Sequence, residues 1–253
     1  MNIVSCSAVK KSFPILRGYL REKAGIVRAV DGVSLEIEKG EAFGLVGESG
    51  SGKTTLGKVI LGILKPDSGE VELGTRRLQV IFQDPHNSLD PKMRVRDIVA
   101  EGLSLRGQPP KAAPEAISKI LDLVNLPKSA LTKYPHQFSG GERQRIAIAR
   151  AVITEPQFIV CDEPVSSLDV TIQLQILNLL KEIRERLGVT YLFISHDLRV
   201  IRFMCGRVAV MKEGKIVEEG LTEKIYSSPD NPYTKLLLSS ILHIELSTAV
   251  GHP

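Results

Sequence analysis

Gly47-Glu48-Ser49-Gly50-Ser51-Gly52-Lys53-Thr54 fits the pattern G-x-x-x-x-G-K-[ST], and each residue type in it answers a need of phosphate binding. Glycines let the backbone curl until successive N–H groups point at one anion. A helix starting at the end of the loop adds its positive N-terminal end. Lys53 supplies a point charge for the β- and γ-phosphates, and the Thr54 hydroxyl can ligate Mg2+. An apolar run, Ala42–Val46, precedes the loop, and Leu56, Val59, Ile60 and Ile63 share one helical face after it. The pattern alone does not choose between kinase, GTPase and ATPase.

A second feature is the apolar run Phe158-Ile159-Val160-Cys161, which ends in the two carboxylates Asp162 and Glu163. Parallel α/β sheets bind ligands at the carboxyl ends of their strands. Asp162 is then suited to hold Mg2+ through water, and Glu163 to polarise an attacking water. Phosphoryl transfer asks the protein mainly for such positioning and charge stabilisation. Strands also end in merely solvated acids; the phosphate loop is what favours the site. A third feature is Ser139-Gly140-Gly141-Glu142 before the helical pattern Arg143–Ile153. Ser139 with Glu142 fits a capping box, an ordinary helix start. Two glycines beside the cap also expose backbone N–H groups, a second anion site. One use for it is to close over a nucleotide held by another subunit.

These features need a scaffold. Short runs rich in Val, Ile and Phe alternate with helical patterns, which predicts a largely parallel sheet flanked by helices. The strands are expected at Ala42–Val46, Leu78–Phe82, Phe158–Cys161, Val189–Ile194 and Val208–Met211. The helix after the phosphate loop should stop at Lys65-Pro66, because a residue before proline resists the helical region. Ile172, Ile176, Leu180, Ile183 and Leu187 mark an amphipathic helix closed by Gly188. Val30–Ile37 and Val71–Leu73 are expected in an antiparallel sheet. Between Phe13 and Val30 a basic loop with Arg17, Arg21, Lys23 and Arg28 is expected, a solvated hairpin tip. From Val95 to Tyr134 helical spacing (Ile98, Leu103; Ile117, Ile120, Leu121, Val124) is broken by Pro109, Pro110, Pro114 and Pro127. That stretch is expected to be a helical insert.

Composition narrows the class. The chain has 253 residues, 43% hydrophobic and 25% charged, with no Trp. That is enough for one large domain with a substantial core. The formal charge of +4 is dispersed, with no basic tail or Lys/Arg run to mark a nucleic-acid partner. Cys6, Cys161 and Cys205 form neither a disulfide framework nor a CxxC metal site, which suits a reducing compartment. Cys161 is expected to be an inert strand residue rather than a redox-sensitive one. No secretory leader is expected at Met1–Phe13, and no apolar run approaches the length of a membrane span.

Taken together, the loop at 47–54, Gln83 after Phe82, Phe138-Ser139-Gly140-Gly141-Glu142, Asp162-Glu163, Ser167-Leu168-Asp169 and His196 resemble the motifs of ATP-binding cassette (ABC) ATPases in order and spacing. The match spans nearly the whole chain. Finer features are similar to the subfamily that drives oligopeptide, dipeptide and nickel importers. These are Ala29-Val30-Asp31-Gly32-Val33-Ser34, Phe82-Gln83-Asp84-Pro85 with Ser88-Leu89-Asp90-Pro91, Tyr134-Pro135-His136-Gln137-Phe138, and Asn231-Pro232-Tyr233-Thr234.

The resemblance implies an α/β P-loop NTPase (RecA-like) core over 1–88 and 155–253 that includes an N-terminal antiparallel β subdomain, and an inserted α-helical subdomain over 89–154. It implies ATP and Mg2+ as cofactors. Phe13 would stack on adenine, a plain core phenylalanine being the alternative. Gly47, Glu48, Ser49, Gly50, Ser51, Gly52, Lys53, Thr54 and Thr55 would contact nucleotide. Thr54, Gln83 and Asp162 would serve Mg2+, with Gln83 also sensing the attacking water. Glu163 would be the base, and His196 would touch the γ-phosphate together with Lys53. Ser139, Gly140 and Gly141 would contact the γ-phosphate bound to the opposite ATPase, and Asp169 would link the two sites. Asp84–Arg96 would meet a membrane subunit.

The implied partners are two transmembrane permease subunits, a second ATPase, identical or different, and indirectly an extracytoplasmic substrate-binding protein. The implied place is the cytoplasmic face of the cell membrane. Peptides are the first substrate expected, nickel or a metal chelate the second. Phe138 and Glu142 stand where Leu and Gln are commoner; the backbone anion site should survive both. A chromosome-type ATPase would need hundreds of coiled-coil residues between Gly52 and Pro135, and a ribosome-type one a second cassette. A small-molecule kinase would leave Ser139-Gly140-Gly141 and His196 without a role.

Overall fold

The computed structural model describes residues 1–17, 22–84, 88–105 and 113–239. They form two compact units: Met1–Gly74 with Leu192–Pro253, and Thr75–Tyr191.

The first unit opens with two long antiparallel strands, β1 (Asn2–Arg17) and β2 (Glu22–Glu38). With β4 (Ser68–Leu73) they form a sheet of order β2-β1-β4. β4 reaches along β1 only from Val4 to Lys10, whereas the β1–β2 ladder runs on to Arg17 and Glu22. The loop expected between Phe13 and Val30 is therefore corrected. Phe13 pairs with Val27 and Ser12 with Arg28 in a two-stranded ribbon. Arg17 and Lys23 stand on its strands, and Arg21 lies outside the described residues. Ile26 and Val27 are exposed, so the ribbon lacks the alternation of buried and exposed positions that betrays a strand.

β3 (Ala42–Val46) is buried at every residue. It pairs in parallel with β8 (Arg207–Lys212), which pairs antiparallel with β9 (Lys215–Leu221). A strand buried on both faces reads as a continuous apolar run, and that is how both β3 and β8 were legible. α1 (Lys53–Ile60) follows the phosphate loop. It ends earlier than Lys65-Pro66: Gly62 takes φ 72, its N–H donates to the Val59 carbonyl, and the Ile63 N–H donates to Lys58. This is a Schellman ending, and it turns Ile63 out, 55% exposed, away from the buried Leu56, Val59 and Ile60.

In the second unit β5 (Leu78–Ile81) pairs in parallel with β6 (Phe158–Asp162), rung by rung from Leu78–Phe158 to Ile81–Cys161. Between them come α2 (Val95–Leu105), α3 (Ala113–Leu123) and α4 (Gly140–Val152). Ile98, Leu103, Ile117, Leu121 and Val124 are buried, as their helical spacing predicts. Pro114 falls in the first turn of α3, where its missing N–H costs nothing. Pro109 and Pro110 lie outside the described residues, as does Pro85. α5 (Val170–Leu187) buries Ile176, Leu180 and Ile183 and stops at Gly188 with φ 64. β7 (Thr190–Ser195) carries the chain out of this unit, and α6 (Leu198–Met204) and α7 (Thr222–Ser227) belong to the first. All three cysteines are buried, and burial pushes the Cys6 thiol up to about 12. Among the described residues no helix is long and apolar enough to cross a membrane.

Candidate functional site: a phosphate loop and an acidic strand end

The phosphate loop fills the short passage from β3 to α1. Its backbone is shaped by close approaches. A Cβ on Gly47 (φ 156) would stand 2.1 Å from the Met211 carbonyl oxygen of β8. One on Gly52 (φ 107) would stand 1.9 Å from the Ala29 carbonyl oxygen of β2. Only glycine fits either place. The Ser51 carbonyl accepts the Gly214 N–H at 2.9 Å, and the Gly214 carbonyl accepts the Asp31 N–H at 2.8 Å. The loop is thus anchored between β2 and the β8–β9 turn.

Lys53 is 5% exposed. Its ammonium donates to the carbonyls of Gly47 and Glu48, both at 2.7 Å, and to Ser51 Oγ at 3.3 Å. The three donors of an ammonium thus meet three oxygens of the loop, which fixes the positive charge inside the curl. Glu48, Ser49 and Gly50 face solvent. No side chain caps α1, and its positive N-terminal end opens on the loop. A cradle of amides around a fixed cation suits a polyphosphate, and Thr54 and Thr55 occupy the first turn of α1.

Elsewhere in this unit, Phe13 stands on β1 and is 38% exposed, with the Lys11 ammonium 5.8 Å from its ring centroid. It is not a core residue. His196 is exposed directly after β7. Its neighbour Asp197 caps α6, accepting the Arg199 N–H at 2.8 Å and the Arg199 guanidinium at 2.8 Å. Burial pushes the Asp197 carboxyl up, but these bonds outweigh it and hold the carboxyl below its ordinary range.

In the second unit, Gln83 and Glu163 each lie two residues past the paired rung Ile81–Cys161, at the carboxyl ends of adjacent parallel strands. Asp162 is the last residue of β6. Glu163 takes φ 50, a left-handed conformation uncommon for a residue with a side chain. Its carbonyl accepts both the N–H (3.3 Å) and the hydroxyl (3.2 Å) of Ser166. Strain of this kind gathers at functional positions.

Ser139 caps α4 through a full capping box. Ser139 Oγ accepts the Glu142 N–H at 3.3 Å, and the Glu142 carboxylate accepts the Ser139 N–H at 2.9 Å. The backbone and hydroxyl hydrogen bonds from Ser139 hold the Glu142 carboxyl below its ordinary value. A Cβ on Gly141 would meet Ile172 Cγ2 of α5 at 2.5 Å, and one on Gly140 would meet Leu168 Cδ2 at 3.3 Å. Glycine here lets α4 lie close to the start of α5. Asp169 caps α5 through the Ile172 N–H at 3.0 Å. The α4 residue Arg150 donates to the Ser88 carbonyl.

Two supports of the phosphate loop escaped sequence reasoning. One is the tight turn Glu213-Gly214, with φ 47 and 81; a Glu-Gly pair between apolar runs is a faint hairpin signal. The other is Tyr233, legible only as part of a motif.

A family model described as "ABC transporter" matches residues 30–166. The oligopeptide transport ATP-binding protein OppF of Streptococcus mutans is 48% identical over 236 residues, 87% of this chain and 77% of that relative. Among solved structures, CbiO1 of Clostridium perfringens, part of the ABC transporter complex CbiONQ, superposes with a TM-score of 0.76 at 25% identity, covering 97% of this chain and 99% of that one. The ATP-binding cassette MJ0796, in a dimeric post-hydrolysis state bound to ADP and phosphate, superposes with a TM-score of 0.74 at 28% identity, covering 87% and 98%. With a curled glycine loop closed around a buried lysine, a strained glutamate at a strand end and this extent of likeness, the chain belongs to the ABC transporter family, with the P-loop NTPase fold of its ATPase cassettes.

Proposed function

We propose that this ATPase energises a peptide importer, binding ATP and Mg2+ at the phosphate loop and working as one of a pair of ATPase subunits against two permease subunits on the cytoplasmic face of a membrane. The observation that carries the reading is the loop itself: Gly47 and Gly52 in conformations that exclude a side chain, curled around Lys53. The peptide cargo rests on the likeness to OppF.

In this reading the loop amides and Lys53 hold the β- and γ-phosphates, and the exposed ring of Phe13 offers a stacking face for adenine. Thr54, Asp162 and Gln83 would hold the Mg2+. Their donors are a hydroxyl, a carboxylate and an amide carbonyl, the hard oxygens that suit this ion. Bound there, the ion would neutralise charge developing on the phosphate oxygens. Glu163 orients and deprotonates the attacking water, its carboxylate held by a backbone that the surrounding turn over-determines. His196 donates to the γ-phosphate. Ser139, Gly140 and Gly141 present their helix start to the nucleotide of the second ATPase, and Asp169 links the two sites. The helices of residues 89–154 carry this arm, and the segment Asp84–Arg96 receives the permease.

The test is Glu163→Gln. Equilibrium binding of ATP should be unchanged, while steady-state phosphate release should fall by about 10²–10⁴-fold, the usual contribution of a general base. Undiminished turnover would remove Glu163 from the base's role. Uptake of labelled oligopeptide into vesicles bearing the full transporter checks the cargo.

A further inference from the structure

The motif Asn231-Pro232-Tyr233-Thr234 takes no part in the binding and catalytic roles assigned so far. It lies where the chain returns to the phosphate loop within the first unit. The Glu218 carboxylate accepts the N–H groups of Asp230 (2.7 Å) and Asn231 (3.2 Å). Asn231 Nδ2 donates to the Val217 carbonyl at 3.2 Å, and Asn231 Oδ1 accepts the Tyr233 N–H at 2.8 Å. Asn231 thus caps the helix of residues 232–239, with Pro232 at its first position. Tyr233, 8% exposed, is aimed by this cap. Its hydroxyl oxygen accepts the N–H of Glu48 at 3.2 Å, and the Lys212 ammonium lies 4.8 Å from its ring centroid. Burial raises the phenol above its ordinary value, so it stays a neutral hydroxyl.

Glu48 is the second residue of the phosphate loop, and its carbonyl is one of the two that hold the Lys53 ammonium. The Glu48 N–H shares a planar peptide with the Gly47 carbonyl, the other of the two, so fixing that peptide from its N–H side fixes an oxygen that orients the cation. We propose that Tyr233 is a positioning residue for the phosphate loop, a tether through which the segment after β9 sets nucleotide affinity; the inference rests on the reading of that loop as an ATP site. The tether runs from Glu218 to Asn231, Tyr233 and Glu48.

The experiment compares Tyr233→Phe with Lys53→Ala in the full chain, by fluorescence titration with an ATP analogue and by hydrogen exchange at the Glu48 amide. Tyr233→Phe keeps the ring and removes only the hydroxyl. Exchange at Glu48 should quicken, and the Kd for the analogue should rise about two- to tenfold, the worth of one hydrogen bond, with the melting temperature unchanged. Wild-type affinity in Tyr233→Phe beside a weakened Lys53→Ala overturns the tether and leaves the ATP site standing. Wild-type affinity in Lys53→Ala overturns both. If Tyr233→Phe fails to fold, Asn231→Ala, which removes the cap that aims the tyrosine, decides in the same way: a weakened Kd upholds the tether and an unchanged one ends it.

Discussion

Two helices begin beside glycines, and their starts are built in opposite ways. α4 is closed by its own residues: Ser139 and Glu142 satisfy each other's N–H groups, and the Arg143 N–H reaches the Ser139 carbonyl. α1 has no side-chain cap, its preceding residue is Gly52 at φ 107, and its first side chain, Lys53, turns back into the loop. The first arrangement fixes its helix start with a side-chain cap. The second has no such cap and instead encloses a positive charge in the glycine loop. A glycine-rich helix start is therefore not one kind of site: one is held by its own cap, the other by glycines curled around a lysine.

The contrast can be broken at several strengths. The largest effect is expected from Gly52→Ala, which combines a left-handed φ with a 1.9 Å approach to a backbone carbonyl. Chemical denaturation should show a loss of about 3 kcal/mol or more. A milder loss would mean that β2 can yield. Lys53→Ala should raise the Kd for ATP about ten- to a hundredfold, the range of hydrogen bonds from a charged group, as measured by calorimetry. Ser139→Ala in the isolated chain should leave that Kd alone; a matching loss would erase the distinction between the two helix starts.

Ser139→Ala should instead cost about 1 kcal/mol of stability, as lost caps do. That cost has a pH dependence of definite sign. The Glu142 carboxyl is held below its ordinary value of 4.5 in the folded chain by the hydrogen bonds from Ser139. Its contribution is therefore fully present above that value and fades as pH falls through the lower folded one. Urea titrations at falling pH should show the difference between wild type and Ser139→Ala shrinking below pH 4.5. The smallest effect belongs to Gly140→Ala, whose new methyl meets only the tip of Leu168 at 3.3 Å. A change within about 0.5 kcal/mol is expected, against a clear loss for Gly141→Ala, where Ile172 stands at 2.5 Å.

The buried strands and capped helices were legible because each leaves a local trace. β3 and β6 are continuous apolar runs, α5 repeats its apolar residues and stops at a glycine, and Ser139 precedes Glu142 at capping spacing. The β1–β2 ribbon leaves none: among the described residues no third strand pairs with β1 beyond Lys10, so no face need be apolar, and Lys, Phe, Pro and Ile come close together without a period. β9 is half exposed and was missed for the same reason. In the candidate site, the loop and the acidic pair could be read from residue types. The contacts of Met211, Ala29, Gly214 and Tyr233 with the loop could not, since they join residues far apart in the chain and sequence spacing carries no record of them.

The first unit is discontinuous, and this bears on the order in which the protein is made. The phosphate loop leaves the ribosome early, but the Met211 carbonyl, the Gly214 amide and the Tyr233 hydroxyl that bound it come after the whole of Thr75–Tyr191. A chain growing at about 5–20 residues per second folds its completed units as they emerge. The second unit, unbroken in sequence, can settle first, while β3 waits for β8. Nucleotide can therefore meet a finished loop only near the end of synthesis, and a truncation before Arg207 should yield a folded second unit with no capacity to bind ATP.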